Sequence, residues 1–140
     1  KDLPIRMNPI TTGTEPNYWL SALIIDEDAM CPQVRDEKRA LYKSEVGKSC
    51  PTEILEAIGS INAEGRPIWR PMHMQPMYRM HEKIGRDGSL RARSNAYIRE
   101  DECVDVGADV FERGLCLPSD NKMSVEQQDV VIEIVKRCFE

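Results

Sequence analysis

The sequence predicts an α/β or α+β sandwich, a small sheet covered by helices, and three stretches carry that expectation. "NYWLSALIID" (17–26) is dense in aromatic and β-branched residues and closes on acidic ones, the pattern of a central strand buried on both faces. "PTEILEAIGSINAEG" (51–65) sets Ile54, Leu55, Ile58 and Ile61 on one helical face, with Pro51 suited to the first turn and Gly65 to the end. Near the carboxy end Ser124 and Gln127 have capping-box spacing. Beyond them Val125, Val131, Ile132, Val135, Cys138 and Phe139 line one side of a helix whose last turn carries Lys136 and Arg137. Helices and short strands that alternate with proline-rich turns build a layered domain.

The remaining stretches are more polar. Within 27–50, "PQVRDEKRALYKSE" reads as a solvated helix without an apolar stripe. "RPIW" (66–69) opens a short strand. Prolines at 67, 71 and 76 cannot donate to a ladder, so that strand is short or lies at an edge, followed by a turn and one helical turn. Residues 79–105 have little apolar content with which to offset the entropy of ordering, and are expected to form a mobile insertion. Inside it "GRDGS" (85–89) is a turn signal that either closes a hairpin or forms a mobile loop. "ADVFERG" (108–114) predicts a short helix stopped by Gly114, and "LCLP" (115–118) a short buried strand.

A chain of 140 residues is one domain's worth, organised around one core. Charged residues make up 31% and the apolar set 41%, and no apolar run approaches the roughly 18 residues that span a bilayer, which excludes a helical membrane role. The formal charge of −5 argues against nucleic acid and anionic lipid as partners. Cysteines at 31, 50, 103, 116 and 138 are odd in number and contain no Cys-x-x-Cys pair, so neither a zinc site nor a disulfide framework is indicated. Free thiols in a reducing cytoplasm are expected. The amino end carries charge and proline where a signal peptide would need an apolar segment, and it begins with lysine, which fits either a mature chain that has lost its initiator methionine or a fragment of something longer.

Most catalytic patterns are absent. "GKS" (47–49) ends like a phosphate-binding loop, but Tyr42 stands where that loop requires glycine. His73 and His81 are the only histidines, with no cysteine or carboxylate pattern of a metal site between them, and there is no Gly-x-Ser-x-Gly elbow. "RPIWRPMHMQP" (66–76) differs. Its prolines remove backbone freedom, so Arg66, Trp69, Arg70, His73 and Gln75 are presented from a stiff framework at little entropic cost. The competing reading is a rigid surface crossover with Trp69 in the core.

"NYWLSALIID", "PTEILEAIGSINAEG", "RPIWRPMHMQPMY" and "DVFERGLCLPSDNKMSVEQQDVVIEIVKRCF" occur in the order and wording of the carboxy-terminal, small domain of the DegT/StrS-type sugar aminotransferases, over about two-thirds of the chain. The resemblance implies the mostly antiparallel sheet covered by helices of the small domain of fold-type I aminotransferases. It implies a single domain, 1–140, with polar insertions at about 27–50 and 79–105. It further implies a pyridoxal phosphate enzyme that aminates a nucleotide-linked keto sugar, and a homodimer.

In the family the cofactor lysine and the acidic partner of the pyridinium nitrogen lie in an amino-terminal large domain. None of the seven lysines here, at 1, 38, 43, 48, 83, 122 and 136, resembles the cofactor lysine in context. The chain therefore resembles a small domain without that partner, carrying no catalytic and no cofactor-binding residue of its own. By the same resemblance His73 and Gln75 face the sugar nucleotide, with Arg66 or Arg70 available for phosphate or for an ion pair. Tyr18 and Trp19 are expected in the core or a domain interface. The alternative is an independent, non-catalytic binding module that shares the fold.

Overall fold

The computed structural model describes residues 2–35, 39–78, 81, 83–84, 90–91 and 105–140. Among them are eight short strands, β1 (Ile5–Met7), β2 (Ser21–Ile25), β3 (Gln33–Arg35), β4 (Ala40–Tyr42), β5 (Arg66–Pro67), β6 (Lys83–Ile84), β7 (Leu90–Arg91) and β8 (Gly114–Leu117). Three helices accompany them, α1 (Pro51–Ser60), α2 (Val106–Arg113) and α3 (Val125–Arg137). The fold is α+β, as the sequence predicts, and the chain divides into two compact units, 1–68 with 113–140, and 69–112.

The larger unit holds a four-stranded antiparallel sheet in the order β1-β2-β8-β5. β2 is interior, as expected, and its residues Leu23, Ile24 and Ile25 are all buried, which requires cover on both faces. The strand is shorter than the 17–26 segment: Tyr18 and Trp19 precede it and are 68% and 71% exposed, so neither is a core residue. Tyr18 has a positive φ of 52°, a left-handed turn through which the chain enters β2. β8 pairs Leu115 with Leu23 on one side and with Pro67 on the other. β5 is an edge strand of two residues, because Pro67 has no N–H to extend it.

Leu23, Ile25 and Leu115 from the sheet meet Ile54 and Ile58 of α1, and Val131, Val135 and Phe139 of the carboxy-terminal segment, in one core. The α3 expectation holds in its cap: Ser124 Oγ accepts from Gln127 N–H and Gln127 Oε1 accepts from Ser124 N–H. Two of its predicted core residues do not hold, since Val125 is 67% and Ile132 47% exposed. Helix α1 ends at Ser60, five residues before Gly65, and Ile61 turns out of it toward solvent. Asn62, at φ 60°, makes the left-handed turn that glycine was expected to make.

Gly65 has another task. A Cβ there would lie 2.7 Å from Leu55 Cδ2 and 3.1 Å from the Cys116 carbonyl oxygen, so only glycine lets the chain leave α1 flush against β8.

The helix expected in "PQVRDEKRALYKSE" is instead an antiparallel pair, β3 with β4, in which Val34 opposes Leu41. Its polar residues serve α1. Cys50 at the N-cap gives α1 no side-chain cap, and Gln33 Oε1 accepts from both Thr52 Oγ1 (2.9 Å) and Thr52 N–H (3.4 Å) in the first helical turn. Glu53 accepts from Ser44 Oγ (2.7 Å) and Ser49 Oγ (2.8 Å). The Tyr42 hydroxyl hydrogen-bonds Glu56, which together with burial holds the phenol above its usual range.

Behind this hairpin, Cys31 N–H donates to Ser49 O and Ser49 N–H to Ala29 O, aligning Cys31 beside Cys50. Burial, then contact with Cys50, pushes the Cys31 thiol up to about 12. Burial raises Cys138 to about 11 and lifts Cys50 and Cys116. Cys103 lies outside the described residues.

β6 pairs antiparallel with β7, Lys83 opposite Arg91 and Ile84 opposite Leu90, while the "GRDGS" stretch lies outside the described residues. The mobile insertion expected over 79–105 otherwise lies outside the described residues, apart from His81 and Asp105. Among the described residues, no helix is long and apolar enough to cross a membrane.

Two glycines in or next to α1 should respond to alanine with opposite signs. Gly65→Ala is expected to cost about 1–3 kcal/mol by forcing Leu55 and the β8 backbone apart. Gly59→Ala meets nothing within 4 Å and should stabilise by about 0.5–1 kcal/mol through helix propensity. Urea unfolding of both variants reads the two signs directly.

The thiols set a pH dependence. Because their folded values exceed the unfolded value near 9, the native state holds their protons longer. Stability is therefore complete below about pH 8.5 and declines as pH rises toward 12, where the unfolded chain ionises first. Urea midpoints measured from neutral to alkaline pH should fall along this window, and Cys31→Ala should flatten the decline; equal slopes in both proteins would contradict it.

Candidate functional site

The stiff segment singled out in the sequence straddles the two units. Arg66 belongs to the larger one, on edge strand β5, where its exposed guanidinium pairs with Glu64. Arg70, His73 and Gln75 belong to the smaller unit.

In that unit the chain runs through two successive 3₁₀ turns, Met72–Met74 and Pro76–Tyr78. The prolines explain the choice. Pro71 at φ −54° precedes the first turn and Pro76 opens the second, so each ring fixes the backbone where a turn starts and prevents a continuous α-helix. Met74 N–H bonds to Pro71 O, Gln75 N–H to Met72 O and Tyr78 N–H to Gln75 O, each at 3.0 Å. Gln75 Nε2 donates back to Arg70 O at 3.2 Å, closing the segment on itself. One face of the Gln75 amide thus serves the turn. Trp69 is 61% exposed and so is not the core residue that the crossover reading required.

Helix α2 supplies the surroundings. Arg70 lies over the Phe111 ring, its Cζ 5.4 Å from the centroid, a cation–π contact that holds the guanidinium to one side. His73 Nε2 lies 2.6 Å from Asp105 Oδ2, both side chains being 15% exposed. These two atoms are shut off from water, so the pair is a close polar contact whose strength depends on the imidazole proton. Asp105 also caps α2: its Oδ1 accepts from Ala108 N–H at 3.0 Å and its backbone carbonyl from Asp109 N–H. Gly107 makes the approach possible, since a Cβ there would lie 3.2 Å from Pro71 Cγ.

Sequence reasoning named His73, Gln75 and Arg70 but missed Asp105, Phe111 and Gly107. Asp105 was open to detection. An aspartate is a preferred N-cap residue, and taking Asp105 as the cap of the short helix moves its start from 108 to the observed Val106. Its contact with His73, 32 positions away, has no local signature.

Among the described residues, no group of three or more His, Cys, Asp or Glu side chains could hold a metal ion. In the larger unit a cleft of about 470 Å³ is lined by Ile61, Ala63, Asp120, Lys122, Met123 and Val130 among others. It does not fit pyridoxal phosphate. A Schiff-base lysine needs desolvation or a cationic neighbour to lose its proton. Lys122 is exposed beside Asp120, and no lysine among the described side chains is buried.

No protein-family model matches the chain. Over 135 residues, 96% of its length, it is 32% identical to a protein of Bacillus subtilis (strain 168) provisionally named a pyridoxal phosphate-dependent aminotransferase, EpsN. The chain spans 26% of that protein, about a quarter of its length. The resemblance to a pyridoxal phosphate-dependent aminotransferase is thus borne out, and over more of the chain than the two-thirds carried by the motifs.

The contact of Gly107 with Pro71 gives a stability test of this unit. Gly107→Val adds three carbons against a prolyl ring that cannot rotate away, with an expected cost of about 1–3 kcal/mol. A urea midpoint equal to that of the parent protein would contradict the packing.

Proposed function

We propose that the chain is the small domain of a pyridoxal phosphate-dependent aminotransferase that acts on a nucleotide-linked keto sugar, and that it is inactive alone. The observation that supports this best is the match to EpsN across nearly the whole chain but only a quarter of the relative. The cofactor, when bound in the complete enzyme, supplies the electron sink for amino transfer. Its lysine and the acidic partner of its ring nitrogen come from a large amino-terminal domain, and the enzyme is a cytoplasmic homodimer.

This chain's own contribution is substrate contact and dimer surface. His73 and Gln75, held by the 3₁₀ turns, face the sugar nucleotide, and the His73 imidazole donates to a sugar hydroxyl or a phosphate oxygen. Arg70 offers its guanidinium for phosphate from its place against Phe111, while Arg66, paired with Glu64, is the weaker candidate. A bond from His73 to a charged acceptor would contribute roughly 1.5–3 kcal/mol, about tenfold to a hundredfold in affinity.

The test compares the 140-residue chain with the full-length protein. Borohydride treatment in the presence of pyridoxal phosphate should fix the cofactor onto one specific lysine of the full-length protein and onto none of the isolated chain. In the full-length protein His73→Ala should raise KM for the keto sugar nucleotide about tenfold to a hundredfold with little change in Tm. A lowered Tm with unchanged kinetic constants would make His73 a pin for the turn and remove it from the substrate site. Stoichiometric labelling of one lysine in the isolated chain would favour a different protein class.

A further inference from the structure

Asp105 has two separable tasks. Oδ1 faces the helix, accepting from Ala108 N–H at 3.0 Å, and Oδ2 faces the imidazole, 2.6 Å from His73 Nε2. The carboxylate stands at the first turn of α2, which also meets Pro71 through Gly107. A carboxylate anchored at a helix start is a far stiffer support than the short turn that carries His73. The segment before it, Pro71 to Met74, is one 3₁₀ turn whose backbone fixes the position of the His73 Cα but not the direction of its ring. Two side-chain torsions remain to be set.

We infer that Asp105 is a positioning residue for His73: it caps α2 with one oxygen and, with the other, fixes the direction and the proton of the imidazole that meets the substrate. The inference rests on the proposed role of His73. A carboxylate beside Nε2, with water excluded from both atoms, favours the tautomer that carries hydrogen on Nε2. Nδ1 then accepts from a sugar hydroxyl when the ring is neutral and donates to a phosphate oxygen when the ring is protonated. Metal-binding histidines are oriented by the same device, an acidic partner on the nitrogen away from the ligand. Helix α2 thereby sets the geometry of a residue that lies more than thirty positions earlier in the chain.

Serine separates the two tasks. Asp105→Ser keeps an oxygen that can accept from Ala108 N–H, and it removes the atom that reaches His73. With only two histidines in the 140-residue chain, long-range proton–nitrogen correlation spectra of the imidazoles are readily assigned through His73→Ala. At about pH 9, where an ordinary histidine is neutral, His73 should show the pattern of an Nε2-protonated ring in the parent chain and an average of the two tautomers in Asp105→Ser. Tm should be nearly equal in the two, because the cap is retained.

In the full-length enzyme, assayed with nucleotide-linked keto sugars, Asp105→Ser should raise KM roughly threefold to tenfold. The same substitution should have no further effect in a His73→Ala background. Identical His73 spectra in parent and Asp105→Ser overturn the inference. So does a KM that rises equally in both backgrounds, or one unchanged by Asp105→Ser while His73→Ala raises it. A His73→Ala enzyme with parental kinetics instead removes the substrate role itself, and the spectra then report separately whether Asp105 holds the ring.

Discussion

The larger unit depends on the antiparallel pairing of β2 with β8, strands that lie about ninety residues apart in sequence. That ladder places Leu23 against Leu115, and these two side chains form the floor on which α1 and α3 bury Ile54, Ile58, Val131 and Val135. β8 takes a second neighbour, β5, where the chain leaving α1 passes so close at Gly65 that a Cβ would lie 3.1 Å from the Cys116 carbonyl oxygen. A glycine contact thus determines where Arg66 emerges, on the edge of the sheet and in the solvent.

The polar segment 27–50 shows how a tertiary partner can override local preference. As a sequence it has charge and no stripe, which suggests a solvated helix. In the fold its polar side chains are hydrogen-bond partners of α1. Gln33 serves the first turn of α1, Ser44 and Ser49 serve Glu53, and Tyr42 serves Glu56. Buried or half-buried polar groups must find partners, and a hairpin that supplies them across the start of α1 satisfies both elements together. The Cys31 and Cys50 thiols are enclosed by the same closure.

Elements whose signals lie within a dozen residues were legible in the sequence. The capping box of α3, the proline start of α1, the buried run of β2 and the glycine at the junction of α2 with β8 all rest on local chemistry, and each appears. The α1 terminus was misplaced because Gly65 satisfies a contact with β8 while Asn62 makes the turn. Val125 and Ile132 were assigned to the core because a helical stripe gives a direction but not the width of the covering layer. In the candidate site the sequence named the residues on the stiff segment and missed their supports. Periodicity cannot see that Phe111 and Asp105 on α2 meet Arg70 and His73, since such meetings are decided by how separate segments fold back on each other.

The separation of β2 from β8 has a consequence for how the chain is made. Helix α1 can nucleate as soon as its ten residues are available, and α3 carries its own start signal. The sheet cannot close in that order. During synthesis β2 is complete long before Leu115 leaves the ribosome, and for that interval Leu23 and Ile24 have no strand to receive them on the β8 side. The last quarter of the chain therefore acts as the closing clasp of the first, and a nascent chain halted before β8 would present its most apolar strand to whatever chaperone is nearest.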